Sequence, residues 1–530
     1  MNRWQTLALL LAGGVALGLR CPRLDLRPMH NDESVNAIKF GKLWEQGEYK
    51  YDPNEYHGPT LSYATVAFSR LTGAPDFDHF TEARLRLVTV AFGIGLVLLL
   101  PLIADGLGNR ATVWAAFFTA VSPAMVFYSR YYIHEMLLVF FTFLGMAASW
   151  RYWRSHKVGW ALLAGAGVGL MSATKETFPI TLAAGALALG LNQIWNRRLD
   201  ASGVPVKAQP VLLRHLAGAA GIWLAVVVVL FSSFFTNAGG LLDSVRAYSH
   251  WSSHAGPASP HIHPWYFYLR RLIYFHAPKG PIWSEALILV LCVIGASTGF
   301  ARKHLDGGNA SFIRFLAFYT FALMAAYSLI SYKTPWCLLN FWHGMILLAG
   351  VGAAVLSASV RKPVVRIALA VLLLAGAGQL AAQAWEGACA RGEDGRSLAS
   401  DPRNPYVYAQ TVPDILRLVK MVDGFGKISP AGHRVLIKVM APHGDFWPLP
   451  WYLRSFQQVG WWDELPTDPF APIIIVSADF HAALDEKKMH LMVGLFEMRP
   501  QVFFELYVEK SLWESYLQKQ PVPQGTNKND

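Results

Sequence analysis

The sequence has 530 residues, of which 53% are hydrophobic and only 15% charged, and its formal net charge is +11. A soluble chain of this length needs more charge to cover its surface, and disordered chains are poorer in apolar and aromatic residues. The composition therefore excludes both classes and favours a membrane protein with several spans.

Eleven apolar stretches have about the 17–25 residues that a helix needs to cross a bilayer. The first begins after Arg3, a pattern that also fits a signal peptide, but the sequence around Cys21 is a poor cleavage site, so we expect an uncleaved span. The predicted spans are residues 4–20, 85–104, 111–128, 132–150, 158–173, 177–195, 214–235, 282–300, 312–331, 337–357 and 366–385.

Basic residues concentrate in alternate short loops, for example at residues 151–157 and 361–366. This asymmetry is typical of cytoplasmic loops and predicts a multi-pass protein of the plasma (inner) membrane. Because the basic residues are scattered over separate loops, they do not indicate a nucleic-acid partner. With an odd number of spans, the C-terminal region is expected outside the cytoplasm.

The membrane domain is predicted to cover residues 1–385, with external loops at 21–83 and 236–281. The first loop contains amphipathic stretches at about 33–46 and 59–72, which are typical of helices lying along a membrane surface.

Residues 386–530 carry more charge and contain strand-like runs at Val435–Val439 and Ile473–Val476. Helical patterns lie between and after these runs, at about 480–495. The alternation predicts a small external α/β domain.

The unusual polar clusters all fall on the external side of this predicted topology. The topology is inferred only from basic residues in the loops of the opposite side. The location of all the polar clusters on one side is therefore an independent observation, and it indicates a functional site. The clusters lie at residues 30–33, 57–59, 128–135, 174–177 and 331–336.

Two adjacent acids, Asp32 and Glu33, follow the first span beside His30. Carboxylates near a membrane interface are costly unless they are solvated or paired. They are candidates for a general base and a second acid that positions a cation or the substrate. The alternative is that Asp32 only caps a helix that begins near Glu33.

Glu135 lies at the mouth of the fourth span and is a third catalytic candidate. The alternative is a salt bridge with Arg130. Since neither Asp32 nor Glu135 has a basic partner at helical spacing, we expect both to face one water-filled cavity within roughly 12 Å of each other. The same two carboxylates are the candidate ligands of a divalent cation.

Three external cations, Arg130, Lys175 and Lys333, lie on the side of the membrane where basic residues are least favoured. Phosphate binding would explain them, because arginine and lysine donate charge-assisted hydrogen bonds to phosphate oxygens. The alternative is that each extends to the lipid headgroups. The remaining candidates for substrate binding are His30, His57, Glu176 and Trp336.

The sequence contains no GxGxxG, GxxxxGK[ST] or CxxC motif, so a nucleotide-driven pump or a dehydrogenase is unsupported. External acids and cations without a nucleotide motif indicate an anionic, lipid-borne substrate met from outside.

Residues 1–385 resemble the GT-C membrane glycosyltransferases of the protein O-mannosyltransferase and aminoarabinose-transferase type. The resemblance rests on the Asp-Glu after the first span and on three local motifs. It is closest to the prokaryotic flippase-activity-associated family, to whose C-terminal domain residues 447–454 are also similar. The motifs are His30-Asn31-Asp32-Glu33-Ser34, Tyr51-Asp52-Pro53 with His57-Gly58-Pro59, and Tyr332-Lys333-Thr334-Pro335-Trp336.

This resemblance implies an inverting transferase that moves a hexose or related sugar from a polyprenyl phosphate to a lipid, protein or glycan acceptor. It implies that Asp32 is the base with Glu33 as its neighbour, that Glu135 is the acid after the third span, and that Lys175 contacts phosphate. One alternative is a flippase or flippase-associated protein that binds the lipid-linked glycan without transfer. Another is a scaffold role for the α/β domain.

Overall fold

The computed structural model describes residues 2–54, 57–74, 76–200, 212–254, 261–301, 307–391, 397–486 and 489–519. The chain forms two compact units. The membrane unit comprises Met1–Leu26, Lys39–Ala74 and Phe80–Tyr408, and the C-terminal unit comprises Arg27–Ile38, Pro75–His79 and Ala409–Asp530.

The membrane unit is helical apart from a two-stranded antiparallel ribbon, β1 (Phe275–His276) with β2 (Ile282–Trp283). Helix α2 belongs to both units, because its first residues lie in the C-terminal unit. The helices are α1 (Arg3–Arg20), α2 (Asn31–Gln46), α3 (Thr60–Leu71), α4 (Glu82–Leu99), α5 (Ala104–Leu107), α6 (Asn109–Val121), α7 (Pro123–Ser129), α8 (Glu135–Ser155), α9 (Val158–Ser172), α10 (Phe178–Asp200), α11 (Leu213–Phe231), α12 (Gly240–His254), α13 (Phe267–Ile273), α14 (Ala286–Ala301), α15 (Ala310–Leu329), α16 (Leu339–Ser359) and α17 (Pro363–Ala388).

Each predicted span coincides with one of these helices or with a bent pair, and both amphipathic stretches of the first loop are helical, as α2 and α3. Within the described residues, seven helical stretches are long and apolar enough to cross a membrane, and α6 with α7, bent by 57°, makes an eighth. Helices α9 and α14 are apolar but shorter. The structure thus supports a multi-pass membrane protein, while the predicted number of eleven spans is not confirmed.

Small residues bring the helices of this unit close together. A Cβ atom on Gly295 of α14 would lie 1.9 Å from the carbonyl oxygen of Leu348, and one on Gly352 of α16 would lie 2.0 Å from that of Leu291. Such close backbone approach is typical of helix pairs in membranes, where apolar burial alone gives little driving force. Helices α14 and α16 are therefore held at short spacing.

The C-terminal unit contains helices α18 (Ile415–Ile428), α19 (Leu449–Tyr452) and α20 (Lys510–Lys519) around one sheet. The strand order is β4-β3-β5-β7-β6, with β3 parallel to β4 and β5, and β7 antiparallel to β5 and β6. The strands are β3 (Ile437–Met440), β4 (Val459–Trp462), β5 (Ile473–Ser477), β6 (His490–Arg499) and β7 (Val502–Glu509).

The two predicted strands are confirmed as β3 and β5, whose apolar residues are buried as expected for strands covered on both faces. The helix predicted at about 480–495 is wrong, because strand β6 begins at His490 and pairs with β7. Pairing of β6 with the later strand β7 outweighs the local preference of this sequence for a helix. The domain was predicted to begin at residue 386, whereas the compact unit begins at Ala409 and includes Arg27–Ile38.

Candidate functional site

Glu135 and Lys175 form a buried ion pair in the membrane unit. Glu135 opens α8, Lys175 lies in the turn between α9 and α10, and their exposed fractions are 4% and 7%. The Lys175 Nζ donates to Glu135 Oε1. Burial alone would lower the pKa of Lys175, but attraction by Glu135 outweighs it, so the pKa is raised. The alternative pairing of Glu135 with Arg130 is therefore wrong. Glu135 has no basic partner at helical spacing, as predicted, but Lys175, 40 positions away, pairs with it.

The next residue, Glu176, belongs to a second polar cluster of the same turn. His57 Nδ1 lies 2.7 Å from Glu176 Oε2, and the Tyr51 hydroxyl donates to Oε1 at 3.1 Å. Burial would raise the pKa of Glu176, but the charge and hydrogen bond of His57 outweigh it and the pKa is lowered. Two of the predicted residues, His57 and Glu176, are thus brought together.

The loop between α2 and α3 is fixed to this turn through its backbone. The Gly58 N–H donates to Thr174 O at 3.1 Å, and the Thr60 N–H donates to Ala173 O at 3.2 Å. A Cβ atom on Gly58 would lie 2.1 Å from the Ala173 oxygen, so glycine is required for the approach. This contact holds the His57–Glu176–Tyr51 cluster beside the Lys175–Glu135 pair.

The Arg130 side chain forms hydrogen bonds at the ends of two helices. Its guanidinium is buried and donates four hydrogen bonds of 2.6–2.9 Å to backbone carbonyls. These contacts join the turn before α8 to the ends of α1 and α17, which gives Arg130 a structural role; its substrate-binding role stays a prediction. The acceptors are the carbonyl oxygens of Arg20, Pro22, Arg23 and Ala388.

Lys333 is also buried, with 1% of its surface exposed, but its surroundings differ from those of Lys175. Its Nζ donates to the carbonyl oxygens of His263, at 2.9 Å, and Ile330. Among the residues that the structure describes, no carboxylate pairs with it. Burial lowers the pKa of Lys333.

Around this lysine lies what we call the Lys333–Arg271 cluster, formed by Lys333, Arg271, His261, His263 and Tyr408. The Tyr408 hydroxyl lies 2.7 Å from His261 Nδ1 and 3.0 Å from His263 Nε2. Burial, followed by the charge of Arg271, lowers the pKa of His263. A lowered pKa favours the neutral imidazole, so the positive charge of the cluster is that of Lys333 and Arg271.

Of the two cations of the cluster, Arg271 is the one that a ligand can reach. Its guanidinium lies 3.7 Å from the centroid of the Phe267 ring, and its Nε donates to Pro405 O at 3.1 Å. The side chain is half-buried, and within the described part of the chain its Nη2 makes no hydrogen bond. A planar guanidinium with a free edge suits a phosphate or carboxylate.

Trp336, another predicted residue, forms an aromatic wall beside this cluster. Its ring centroid lies 6.0 Å from that of Tyr408, 6.4 Å from that of Tyr128 and 6.5 Å from that of Tyr131. Trp336 is 6% exposed, so it shapes the surroundings of the cluster by packing.

In the C-terminal unit, Asp32 and Glu33 have different surroundings. Glu33 is fully buried, accepts bonds of 2.7 and 3.0 Å from Arg27, and accepts the His30 N–H at 2.9 Å. It therefore caps α2, and the expectation that Asp32 does so is wrong. The Asp32 side chain is 45% exposed, with its Oδ1 3.8 Å from His30 Nδ1. Of the two acids, Asp32 is the one that a substrate can reach.

The start of α2 forms hydrogen bonds with residues that lie about four hundred positions later in the chain. The Met29 N–H donates to the Tyr452 hydroxyl at 2.8 Å, and Ser34 Oγ donates to Pro448 O at 3.4 Å. Pro448 and Tyr452 belong to the 447–454 stretch noted for its family resemblance. Within the C-terminal unit, this stretch positions the segment that carries Asp32.

A divalent cation stays a prediction. Among the described residues, no three His, Cys, Asp or Glu side chains group as a metal site. Glu135 has Lys175 as its partner, and Asp32 has only His30 beside it.

Sequence reasoning missed Tyr51, Arg271 and Tyr408 as members of these clusters. Arg271 had a signal, because it follows Arg270 in a loop that the sequence predicts to be external, where the argument applied to Lys175 also holds. Tyr408 carries no local signal, since its partners lie more than a hundred residues earlier in the chain.

Comparisons with known proteins identify the fold. Residues 63–238 match the family model described as dolichyl-phosphate-mannose-protein mannosyltransferase. No curated protein matches the sequence. ArnT from Cupriavidus metallidurans, solved bound to undecaprenyl phosphate, superposes with a TM-score of 0.61 at 15% identity, over 96% of this chain and 98% of that one.

The oligosaccharyltransferase of Archaeoglobus fulgidus in its apo form gives a TM-score of 0.56 at 13% identity, over 87% of this chain and 64% of that one. The chain therefore has the GT-C-like fold of membrane glycosyltransferases, which confirms the predicted fold class and the GT-C resemblance. The closer resemblance to the flippase-activity-associated family is not confirmed.

Proposed function

We propose that the chain is a membrane glycosyltransferase that moves a sugar from a polyprenyl-phosphate donor to an acceptor on the outer face. The observation that carries the proposal is the Lys333–Arg271 cluster, whose cations lack a carboxylate partner among the described residues. The mannosyltransferase match at residues 63–238 and the undecaprenyl phosphate bound to ArnT, which shares this fold, support the same substrate class.

The phosphate of the donor binds at Arg271, with Lys333 behind it. As the sugar leaves, negative charge develops on the phosphate, and donors already aimed at that position stabilise the transition state. Polar groups for the sugar come from the His57–Glu176–Tyr51 cluster, where the His57 side chain is 27% exposed.

Asp32 is the general base of the proposed reaction. Its carboxylate takes the proton of an acceptor hydroxyl while the hydroxyl oxygen forms a bond to the anomeric carbon. The bond between that carbon and the phosphate oxygen breaks, and polyprenyl phosphate leaves with the electron pair. A single displacement of this kind inverts the anomeric centre.

The test is complementation of a deletion strain. Deleting the gene and comparing membrane glycans identifies the product as the glycan that disappears. Asp32→Asn is expected to restore less than about a hundredth of that product, since general bases contribute roughly 10²–10⁴-fold to rate. Asp25→Asn is the matched control, because Asp25 is an exposed acid close to Asp32 in the sequence, and it should restore the product.

The same variants separate transfer from lipid translocation. Asp32→Asn protein that still binds undecaprenyl phosphate but makes no product supports chemistry at this residue. If Asp32→Asn restores the glycan as well as Asp25→Asn does, Asp32 is not the base. A flippase-like role then becomes the better explanation.

We further propose that the protein lies in the plasma (inner) membrane with the C-terminal unit outside the cytoplasm. Cysteines introduced at two exposed positions test this: Glu514→Cys in α20 and Arg361→Cys between α16 and α17. An impermeant thiol reagent should label Glu514→Cys in intact cells and Arg361→Cys only after lysis. The reverse result would invert the topology.

A further inference from the structure

A small cavity lies inside the membrane unit, between α8, α15 and α16. Its polar lining consists of Thr142 from α8, Tyr319 from α15, and Asn340 with His343 from α16. Gly344, also in the lining, allows α16 to approach α15 closely, because a Cβ atom there would lie 2.3 Å from the Thr320 hydroxyl oxygen. The cavity belongs to none of the external clusters.

Four polar atoms of this lining have no hydrogen-bond partner among the described residues. Each of their side chains is at least nine-tenths buried, with exposed fractions between 3% and 9%. The atoms are Thr142 Oγ1, Tyr319 Oη, Asn340 Oδ1 and His343 Nε2.

Unpaired polar atoms are costly at this depth, because the hydrocarbon region offers no water to satisfy them. Four such atoms around one cavity are explained if a guest in the cavity pairs with them. About 10 Å³ is open to the centre of a water molecule, which is roughly the room that one buried water needs. The lining contains no Asp, Glu, Lys or Arg, so the guest is neutral.

We propose that this cavity is a binding site for an internal water molecule. Water can donate to Asn340 Oδ1, which only accepts, and can exchange donor and acceptor roles with the hydroxyls of Thr142 and Tyr319. His343 Nε2 completes the coordination as donor or acceptor according to its tautomer. Four partners match the two to four that buried waters make.

Asn340 connects the proposed water to one further polar group. Its Nδ2 donates to the Tyr327 hydroxyl at 3.5 Å.

Radiolytic hydroxyl labelling of the purified protein tests the proposal, because X-rays produce radicals from water where it is bound. Phe143 of the lining and Phe118, which lies outside it, are both at most 2% exposed and form a matched pair. We expect Phe143 and Tyr319 to be labelled several-fold more than Phe118, and this excess to disappear in Thr142→Val and His343→Leu. Equal labelling of Phe143 and Phe118 in the unsubstituted protein would overturn the proposal, as would an excess that survives both substitutions.

Thermal unfolding of His343→Phe gives a second, independent result. If the cavity holds water, the phenyl ring expels it and leaves Thr142, Tyr319 and Asn340 unpaired, so the melting temperature falls. If the cavity is dry, the ring fills empty space and removes an unpaired nitrogen, so the melting temperature rises. A rise therefore rejects the water site even where labelling is weak.

Discussion

Lys175 and Lys333 lie in turns of the membrane unit that the sequence predicts to be external, and both are buried, but their partners differ. Lys175 donates to the carboxylate of Glu135, and its pKa is raised. Lys333 donates to two backbone carbonyls, and its pKa is lowered. Lys175 has a counter-ion within the fold, whereas the partners of Lys333 among the described residues are backbone carbonyl dipoles.

The difference indicates which lysine an anionic substrate would meet. A phosphate at Lys175 has to compete with Glu135, and separating a buried ion pair is costly. A phosphate at the Lys333–Arg271 cluster supplies the charge that this cluster lacks. We therefore assign the main phosphate contact to the Lys333–Arg271 cluster, whereas the sequence favoured Lys175.

The largest effect is expected from breaking the Lys175–Glu135 pair. Glu135→Gln leaves the Lys175 ammonium buried without its counter-ion, and removing one partner of a buried pair costs about 3–5 kcal/mol. Thermal unfolding in detergent should show a large loss of stability. Lys175→Ala should destabilise similarly, because Lys175 is 7% exposed and its charge is paired with Glu135.

The double variant Glu135→Leu with Lys175→Met is the control for this prediction. Apolar residues of similar volume remove both charges together and should recover most of the stability. If Glu135→Gln has the same melting temperature as the unsubstituted protein, the ion pair does not contribute to stability. The contrast between Lys175 and Lys333 would then fail.

A smaller effect is expected at the Lys333–Arg271 cluster, where binding should respond more than folding. Arg271→Ala removes charge-assisted hydrogen bonds of about 1.5–3 kcal/mol each, so affinity for undecaprenyl phosphate should fall by roughly ten- to a hundredfold. The melting temperature should change little, because the side chain is only half-buried.

The neighbouring Arg270 provides a matched control on the same helix, because its side chain is exposed. Arg270→Ala should bind undecaprenyl phosphate as the unsubstituted protein does. Equal losses in the two variants would point to a general effect of surface charge. No loss in Arg271→Ala would remove the cluster as the phosphate site.

The fold was largely predictable because its signals are local. Spans show as apolar runs of sufficient length, and β3 and β5 show as short apolar runs. Strand β6 was missed, because its pairing with β7 depends on a strand that follows it. Apolar length also could not establish the number of spans, since α9 has only 15 residues.

The candidate site was predictable as a set of residues but not as a set of partners. Glu135 and Lys175 are 40 positions apart, and only the tertiary structure pairs them. Their pairing removes one premise for placing Asp32 and Glu135 in a shared cavity. Asp32 belongs to the C-terminal unit and Glu135 to the membrane unit, so their proximity within roughly 12 Å stays a prediction.

The smallest effect is expected at Glu176, which lies in the same turn as Lys175. It tests whether the charged groups of this turn are paired within the fold, in contrast to Lys333. Burial raises the pKa of Glu176, but His57, and to a lesser extent Lys175, outweigh it and lower the pKa from 4.5. A carboxyl group with a lowered folded pKa stabilises the protein above its unfolded pKa, and that stabilisation is lost as pH falls through the folded value. Glu176→Gln should therefore melt lower at pH 7. The amide oxygen can still accept a hydrogen bond from His57 but without the charge, so the loss of stability is roughly 1 kcal/mol. The difference from the unsubstituted protein should shrink below pH 4.5.

Glu514→Gln, at an exposed position, should show no such difference at either pH. A Glu176→Gln difference that stays constant down to acid pH would mean that His57 does not hold the carboxyl group ionised.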